Sequence, residues 1–388
     1  MGVQTRLRGT ILHFSTEIGL TSIGGVGTCL DELRRASDEG VGFVRLGPCA
    51  PEEPGIVNAD FYDMDVLNRL DFDVAVFHDY GLAYLADESF LRGRRLLFAV
   101  HSVPTTEPWS LLDPYGGNDD VARAFERLCD AADRIICVSE AERGKLLTIY
   151  PDLLRKTIPL PNGFSAFGDF PLRVAAERKT FGFLGRADER KGLRELLNAF
   201  ADVDGALRIA CGGEDPDVVR AVREDIGRLG LEDRVSLVGR VAAADKLAFL
   251  GKLDALVVPS RWEPFGYVAL EALRAGVPPL VSRQGGLLEI VGADYPFAFE
   301  PYRPDAIAAC VRRFQAASAD EVRDAVARAR ATAAPLTAER MAAAYRRAAL
   351  APPVEAAPRG RRFGGPGPVG APGRGNASAT PKAKHPFP

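Results

Sequence analysis

The sequence predicts an α/β protein of two doubly wound domains, each a parallel sheet flanked by helices, facing one another across a cleft. Two observations carry this. Short apolar runs such as Val74-Ala75-Val76-Phe77 alternate with amphipathic stretches nearly throughout. Unbroken apolar runs mark strands buried on both faces of a parallel sheet. The alternation pauses once, from Pro159-Leu160-Pro161-Asn162-Gly163 to Pro171, and restarts at Thr180; Pro, Gly and Asn at that density mark a linker. A chain of 388 residues also suits two cores better than one.

In the first half, strands are expected at residues 10–15, 42–47, 74–78, 95–101, 134–139 and 156–160. Helical stretches separate several of them. The stretch 119–132, for instance, sets Val121, Ala124, Phe125 and Leu128 on one face. In the second half the strands are 181–185, 207–211, 235–238, 255–259 and 279–282, with helices at 192–202, 216–229, 244–252, 265–275 and 287–291. Three helices, 303–317, 320–333 and 337–350, close the body. The expected division is a first domain at 1–165, a second at 166–335, a helix at 336–350 packing back toward the first, and a disordered tail at 351–388. That tail holds nine prolines and seven glycines in 38 residues, which cannot build a core.

Composition narrows the function classes. Hydrophobic residues make up 47% and charged residues 26%, ordinary for a globular protein. No apolar run approaches the roughly 18 residues that span a bilayer, and Ile11–Phe14 is too short for a signal-peptide core. The expected location is the cytoplasm. Six cysteines lack any CxxC pairing and only four histidines are present, so neither a disulfide framework nor a zinc site is expected. The net charge of −3 combines a basic tail with a body of 43 basic and 51 acidic residues. An acidic body argues against nucleic acid as a partner.

Ligands of open α/β sheets bind beyond the carboxyl ends of strands, so the polar residues there are the ones to inspect. After residues 181–185 come Arg186 and Lys191, five apart, in a loop ahead of a helix. Two cations beside a helix N-terminus suit a diphosphate, although they equally suit a charged surface loop. The strand at 255–259 leads through Glu263 into a helix carrying Glu271. Amides at Phe265, Gly266 and Tyr267 face outward at such a helix start, and the two carboxylates could accept hydroxyls. Spacing alone leaves two ordinary acids as the alternative.

This block resembles the signature of retaining GT-B glycosyltransferases of group 1, family four (the glycogen-synthase-like superfamily). Glu263-Pro264-Phe265-Gly266, Glu271-Ala272, Gly276-Val277-Pro278 and Gly285-Gly286-Leu287-Leu288-Glu289 fall in the family's order. The resemblance is dense over about residues 180–291 and implies two Rossmann-like domains facing a central cleft. It also implies a metal-independent transfer, with retention, of a sugar from a nucleotide diphosphate to an acceptor hydroxyl. Donor-binding residues would be Gly24, Gly25, Arg186, Lys191, Glu263, Phe265, Gly266, Tyr267 and Glu271, with the diphosphate on Arg186 and Lys191, the ribose on Glu271 and the sugar on Glu263. His101, Arg186, Lys191 and Glu263 would form the catalytic set. A UDP-sugar is the favoured donor and a GDP-sugar the second candidate; no bound cofactor is expected. The acceptor would be a small saccharide or natural product, and the chain a monomer or homodimer.

The first half resembles the family less tightly. Glu17 and Gly24-Gly25-Val26-Gly27-Thr28 are similar to its glycine-rich loop after the first strand, and His101-Ser102 to its cleft histidine. After Pro161-Asn162-Gly163 the family usually has an acid, where this chain has Phe164-Ser165. His78 and Asp79, after another strand, are acceptor-side candidates together with Glu17. Asp63-Met64-Asp65 and Asp71-Phe72-Asp73 offer DxD pairs, but a metal-holding pair belongs at a strand's carboxyl end and these precede their elements. No metal is expected. The alternatives are a sugar-nucleotide epimerase of the same architecture, which would need no acceptor, and a non-catalytic sugar-nucleotide-binding protein.

Overall fold

A computed structural model describes residues 11–19, 24–47, 52–61, 63–87, 89–104, 118–212 and 216–354. The expectations for residues 1–10, for Gly213 and for the tail from 355 onward lie outside them. The first sheet contains β1 (Ile11–Ser15), β2 (Val41–Leu46), β3 (Ile56–Ala59), β4 (Val74–Phe77), β5 (Arg95–Val100), β6 (Arg134–Cys137) and β7 (Thr157–Pro159). Among them run helices α1 (Gly25–Ala36), α2 (Met64–Leu67), α3 (Asn118–Ala131) and α4 (Glu140–Ile149). All strand pairs are parallel, in the order β3-β2-β1-β4-β5-β6-β7.

The second sheet repeats the plan with β8 (Thr180–Arg186), β9 (Ala206–Gly212), β10 (Val235–Leu237), β11 (Ala255–Val258), β12 (Pro279–Ser282) and β13 (Ala298–Phe299). Its order is β10-β9-β8-β11-β12-β13, again parallel. Its helices are α5 (Leu193–Ala201), α6 (Pro216–Arg228), α7 (Lys246–Leu250), α8 (Tyr267–Arg274) and α9 (Leu287–Val291), followed by α10 (Pro304–Ala316), α11 (Ala319–Ala333) and α12 (Ala338–Leu350). In both sheets the strand order reverses beside the first strand, between β1 and β4 and between β8 and β11. Such switch points open a crevice at the strand ends.

Alternation along the strands sorts the core into two bodies. Leu12, Phe14, Val44, Ala75, Phe77 and Phe98 point into a cluster confined to the first domain. Ile11, Phe43, Val74, Val76 and Leu97 point the other way, into a cluster that continues through the whole second domain. The period of two along each strand produces the split. The bridge between domains includes α12, which lies against α1: Met341 Sδ sits 3.8 Å from Cys29 Sγ. Beside it the linker is pinned. Phe164 N donates to Leu336 O at 3.1 Å, and Ser165 N donates to the buried Glu32 carboxylate at 2.6 Å.

Some elements differ from the sequence expectation. β3 and β13 are strands of four and two residues, too short in sequence to announce themselves. Gly25–Thr28 is no loop but the first turn of α1, with Gly24 as its N-cap. The expected helix at 244–252 is a short 3₁₀ turn, Ala243–Asp245, running into the five-residue α7. Asp63 caps α2 by accepting from Val66 N, and Asp71 and Asp73 sit before the first residue of β4.

Candidate active site

The loop after β8 is shaped by close backbone packing. Gly192 adopts φ +65°, and a Cβ there would fall 2.1 Å from the carbonyl oxygen of Pro259. Only glycine lets the turn after Lys191 press so closely on the loop after β11. Arg261 N donates to Arg190 O at 2.6 Å across the same seam. Gly285, at φ +61°, lies under the Glu263 backbone, where a Cβ would meet Glu263 O at 1.9 Å. Gly286 N donates to that oxygen at 2.8 Å. The Gly-Gly pair is therefore the floor on which Glu263 rests.

On this floor Lys191 and Glu263 meet. Lys191 Nζ lies 2.7 Å from Glu263 Oε2, which also accepts from Ser260 Oγ at 3.0 Å. Arg186 is nearly half exposed, with its nearest carboxylate, Asp188, at 3.3 Å. Burial pushes the Asp188 carboxyl up, yet Arg190, Lys191 and Arg186 together hold it below its ordinary range. Three cations thus set a positive potential where β8 ends. Gly266 takes φ +110° and α8 begins at Tyr267, so the first amides of that helix point out of the ladder toward the same space.

Glu271 occupies a different position. Its side chain is 1% exposed; Oε1 lies 2.7 Å from Lys246 Nζ, and Oε2 is buried without a hydrogen-bond partner. Lys246, on α7, stands between it and the cleft.

The first domain supplies the opposite wall. His101 follows β5, and a Cβ at Gly25 would lie 3.9 Å from the Tyr267 ring. Behind this wall three imidazoles line up. His78 Nδ1 lies 2.9 Å from His101 Nε2, and His78 Nε2 lies 2.9 Å from His13 Nδ1. Burial lowers His13 to about 3 and His101 to about 4, and pulls His78 well below its ordinary value. Asp79 accepts from Ser15 Oγ at 2.6 Å and Thr16 N at 2.8 Å, while burial raises its carboxyl.

One cavity of about 620 Å³ opens between the walls. Gly24, Gly25, His101, Arg186, Lys191, Glu263, Phe265, Gly266 and Tyr267 all line it. Of the sequence candidates, Glu17, His78, Asp79 and Glu271 are not on its surface. Residues that sequence reasoning missed are Lys246, Trp262 and Glu142. Trp262 Nε1 donates to Glu142 Oε2 at 2.8 Å, and Glu142 Oε1 accepts from Val103 N at 2.6 Å. Ser139 Oγ donates to Pro264 O at 2.6 Å, and Glu289 accepts from the amides of Glu140 and Ala141 at 3.0 and 2.8 Å. An acid of one domain capping a helix of the other holds the walls together on this side.

Comparison with known proteins fits this geometry. Residues 168–332 match the family model of glycosyl transferases, group 1. Mannosylfructose-phosphate synthase of Agrobacterium fabrum is 32% identical over 182 residues, 42% of this chain and 40% of that protein. Alpha-maltose-1-phosphate synthase of Mycolicibacterium smegmatis is 29% identical over 254 residues, 59% of this chain and 64% of that protein. The match thus spans less than two thirds of either relative. Among solved structures, Anabaena Alr3699/HepE in complex with UDP and glucose superposes with a TM-score of 0.71 at 19% identity, covering 87% of this chain and 98% of that one. Sucrose-phosphate synthase from Thermosynechococcus elongatus gives 0.70 at 20% identity, covering 88% and 98%. No helix among the described residues is long and apolar enough to cross a membrane. The second half of the chain thus matches the group 1 glycosyl transferases over residues 168–332, and the chain carries a two-sheet GT-B fold.

Proposed function

We propose that the protein transfers a sugar from a nucleotide-diphosphate donor to an acceptor hydroxyl, with retention at the anomeric carbon and without a metal. The observation that carries this is the convergence of Arg186, Lys191 and the α8 N-terminus on one cavity whose far wall holds His101. Its size falls in the range that encloses a ligand of this kind. In this reading the diphosphate lies between Arg186, Lys191 and the amides at Phe265–Tyr267. These groups stabilise the charge that grows on the leaving phosphate, the role a divalent cation fills elsewhere.

Glu263 then holds donor-sugar hydroxyls. Its pairing with Lys191 orients it, and a phosphate arriving on Lys191 releases it for that task. Glu271 Oε2, buried and lacking a partner, accepts from the ribose diol once Lys246 moves aside or shares the contact. The departing phosphate takes the acceptor proton on the face it leaves, so no enzyme nucleophile is required. His101, neutral because burial holds it near 4, contributes a hydrogen bond at the reacting sugar rather than a charge. A UDP-sugar is favoured as donor, since several of the structural neighbours hold UDP or UDP-glucose. The domain of residues 1–165 is the acceptor side, that of 166–335 the donor side, and helix 336–350 ties the two.

A thermal-shift screen against UDP-, GDP-, ADP- and TDP-sugars tests the donor. A true donor at a hundred times its Kd adds about 2.7 kcal/mol of stability by mass action. Product NMR with the best donor and a panel of small hydroxyl acceptors then reads the anomer. No shift with any sugar nucleotide overturns the donor site, and an inverted product overturns retention. Conversion of donor without acceptor marks an epimerase instead.

A further inference from the structure

Among the described residues, the histidines form one continuous chain. His13 lies in β1, His78 directly after β4 and His101 directly after β5, and these three strands are neighbours in the sheet. Parallel register aligns His13 with Val76, which brings its ring to the first residue beyond β4. The successive N···N distances are both 2.9 Å. Packing fixes the rings: His13 stacks on Phe43 with centroids 5.2 Å apart, and His78 stacks on Tyr345 of α12 at 5.9 Å. His13 and His78 are buried, and Tyr345 is among the largest fully buried side chains. Only His101 reaches the cavity.

Burial keeps all three rings neutral at ordinary pH, so each carries one proton. At each N···N contact one nitrogen donates and the other accepts. His78 uses both its nitrogens. If its Nδ1–H donates to His101 Nε2, its Nε2 must accept from Nδ1–H of His13, and His101 carries its own proton on Nδ1. If its Nε2–H donates to His13, all three protons sit on Nε2. No mixed arrangement satisfies both contacts, and a mixed one would leave two lone pairs or two protons facing each other in a buried site.

We propose that His13, His78 and His101 form one tautomer-coupled unit, in which the two buried rings set whether His101 presents a proton or a lone pair at its remaining nitrogen, Nδ1. His13 and His78 are then positioning residues for the cleft. They decide whether His101 donates to a sugar oxygen or accepts from a sugar hydroxyl, and the choice is made up to two rings away from the ligand. The bearing on catalysis rests on the sugar-transfer reading above; the coupling itself does not.

The test uses the full chain with ¹³C,¹⁵N-labelled histidine, reading imidazole shifts for each ring, with assignments from single variants. The wild type should show all three rings in the same tautomer. In His13→Phe, which retains a flat ring against Phe43, the Nδ1 resonance of His101 should move. In His13→Gln, whose amide offers both a donor and an acceptor, it should stay near the wild-type position. With a working donor, His13→Phe should lower kcat by about tenfold, the scale of one lost hydrogen bond, leave the donor KM unchanged, and be largely rescued by glutamine. Rings in different tautomers in the wild type overturn the proposal. So do unshifted His101 resonances in a folded His13→Phe. If that variant fails to fold, the wild-type spectrum still decides. A uniform tautomer in a protein that turns over no sugar nucleotide would instead refute the transfer reading and leave the coupling standing.

Discussion

The two walls of the cleft solve opposite electrostatic problems. The wall built on β8 and β11 gathers charge: Arg186, Arg190, Lys191 and Lys246 sit there with Asp188, Glu263 and Glu271, and the contacts are ion pairs of 2.7 to 3.3 Å. The wall built on β1, β4 and β5 removes it. Its rings are neutral through burial, and Asp79, the nearest acid in sequence, has its carboxyl raised while it holds the turn after β1. A charged wall suits a ligand that arrives carrying phosphate charge. A neutral, hydrogen-bonding wall suits hydroxyls, whose discrimination depends on direction more than on charge.

The largest effect is expected on the charged wall. Lys191→Ala should cut transfer by about 10²–10³-fold, as loss of a group stabilising a developing anion does. It should leave the thermal unfolding transition cooperative. Steady-state kinetics beside a melting curve read both, and near-normal turnover would detach the diphosphate from this wall. Next comes Lys246→Met, which keeps the aliphatic stem but takes the ammonium away from Glu271. If Lys246 steadies the carboxylate that receives the ribose, the donor KM rises by about tenfold while kcat changes little, the pattern of lost uniform binding. A lower KM would mean that Lys246 merely obstructs Glu271, and would sharpen the comparison in the other direction.

The neutral wall is tested by pH. Its histidines ionise near 6.5 when unfolded, and His101 and His13 only at about 4 and about 3 in the native state. Between those values the unfolded chain binds more protons, so stability is intact above pH 6.5 and falls as pH drops toward 4. The slope approaches ~1.4 kcal/mol per pH unit for each buried ring. Urea titrations at pH 7 and pH 5 measure it, and His13→Phe should flatten the loss by one ring's share. An unchanged midpoint between the two pH values would show that the rings are not buried neutral.

How much of this could be read in the sequence differs between the same two walls. On the charged wall Lys191 and Glu263 are 72 residues apart, yet each lies in a segment whose own pattern, Arg186 to Lys191 and Ser260 to Glu271, is the signal. Apolar runs also located eleven of the strands, because a strand buried on both faces leaves little choice of residue. On the neutral wall the contact between the histidines was illegible for a topological reason. His13 and His78 are 65 residues apart and meet only because β4 crosses over to lie beside β1. His78 and His101 stand out singly as strand-end candidates, but His13 is a strand residue without a role, and nothing in the sequence joins the three. Lys246 sits on a helix of five residues with no pattern to mark it. Glu142 shares the buried face of α4 with Leu146, but nothing in its residue type announces that a carboxylate there is fully buried and accepts from Trp262 of the other domain.

The chain crosses between the two sheets twice, and the crossings run side by side. Phe164 donates to Leu336, Ala338 N donates to Ser165 Oγ at 3.1 Å, and Gly163 is pressed so close to Thr337 that a Cβ would come within 2.0 Å of its carbonyl oxygen. Beyond them Arg95 reaches the carbonyl oxygens of Ala349 and Ala351, and Arg134 that of Pro352, fastening the far end of α12 to the first sheet. Two adjacent strands of backbone act mechanically as a pair of door hinges on one jamb. A single tether would let one half swivel in any direction. A double one, pinned by these bonds, restricts the directions in which the halves can turn. Cutting the chain at either crossing would therefore loosen the relative orientation of the halves.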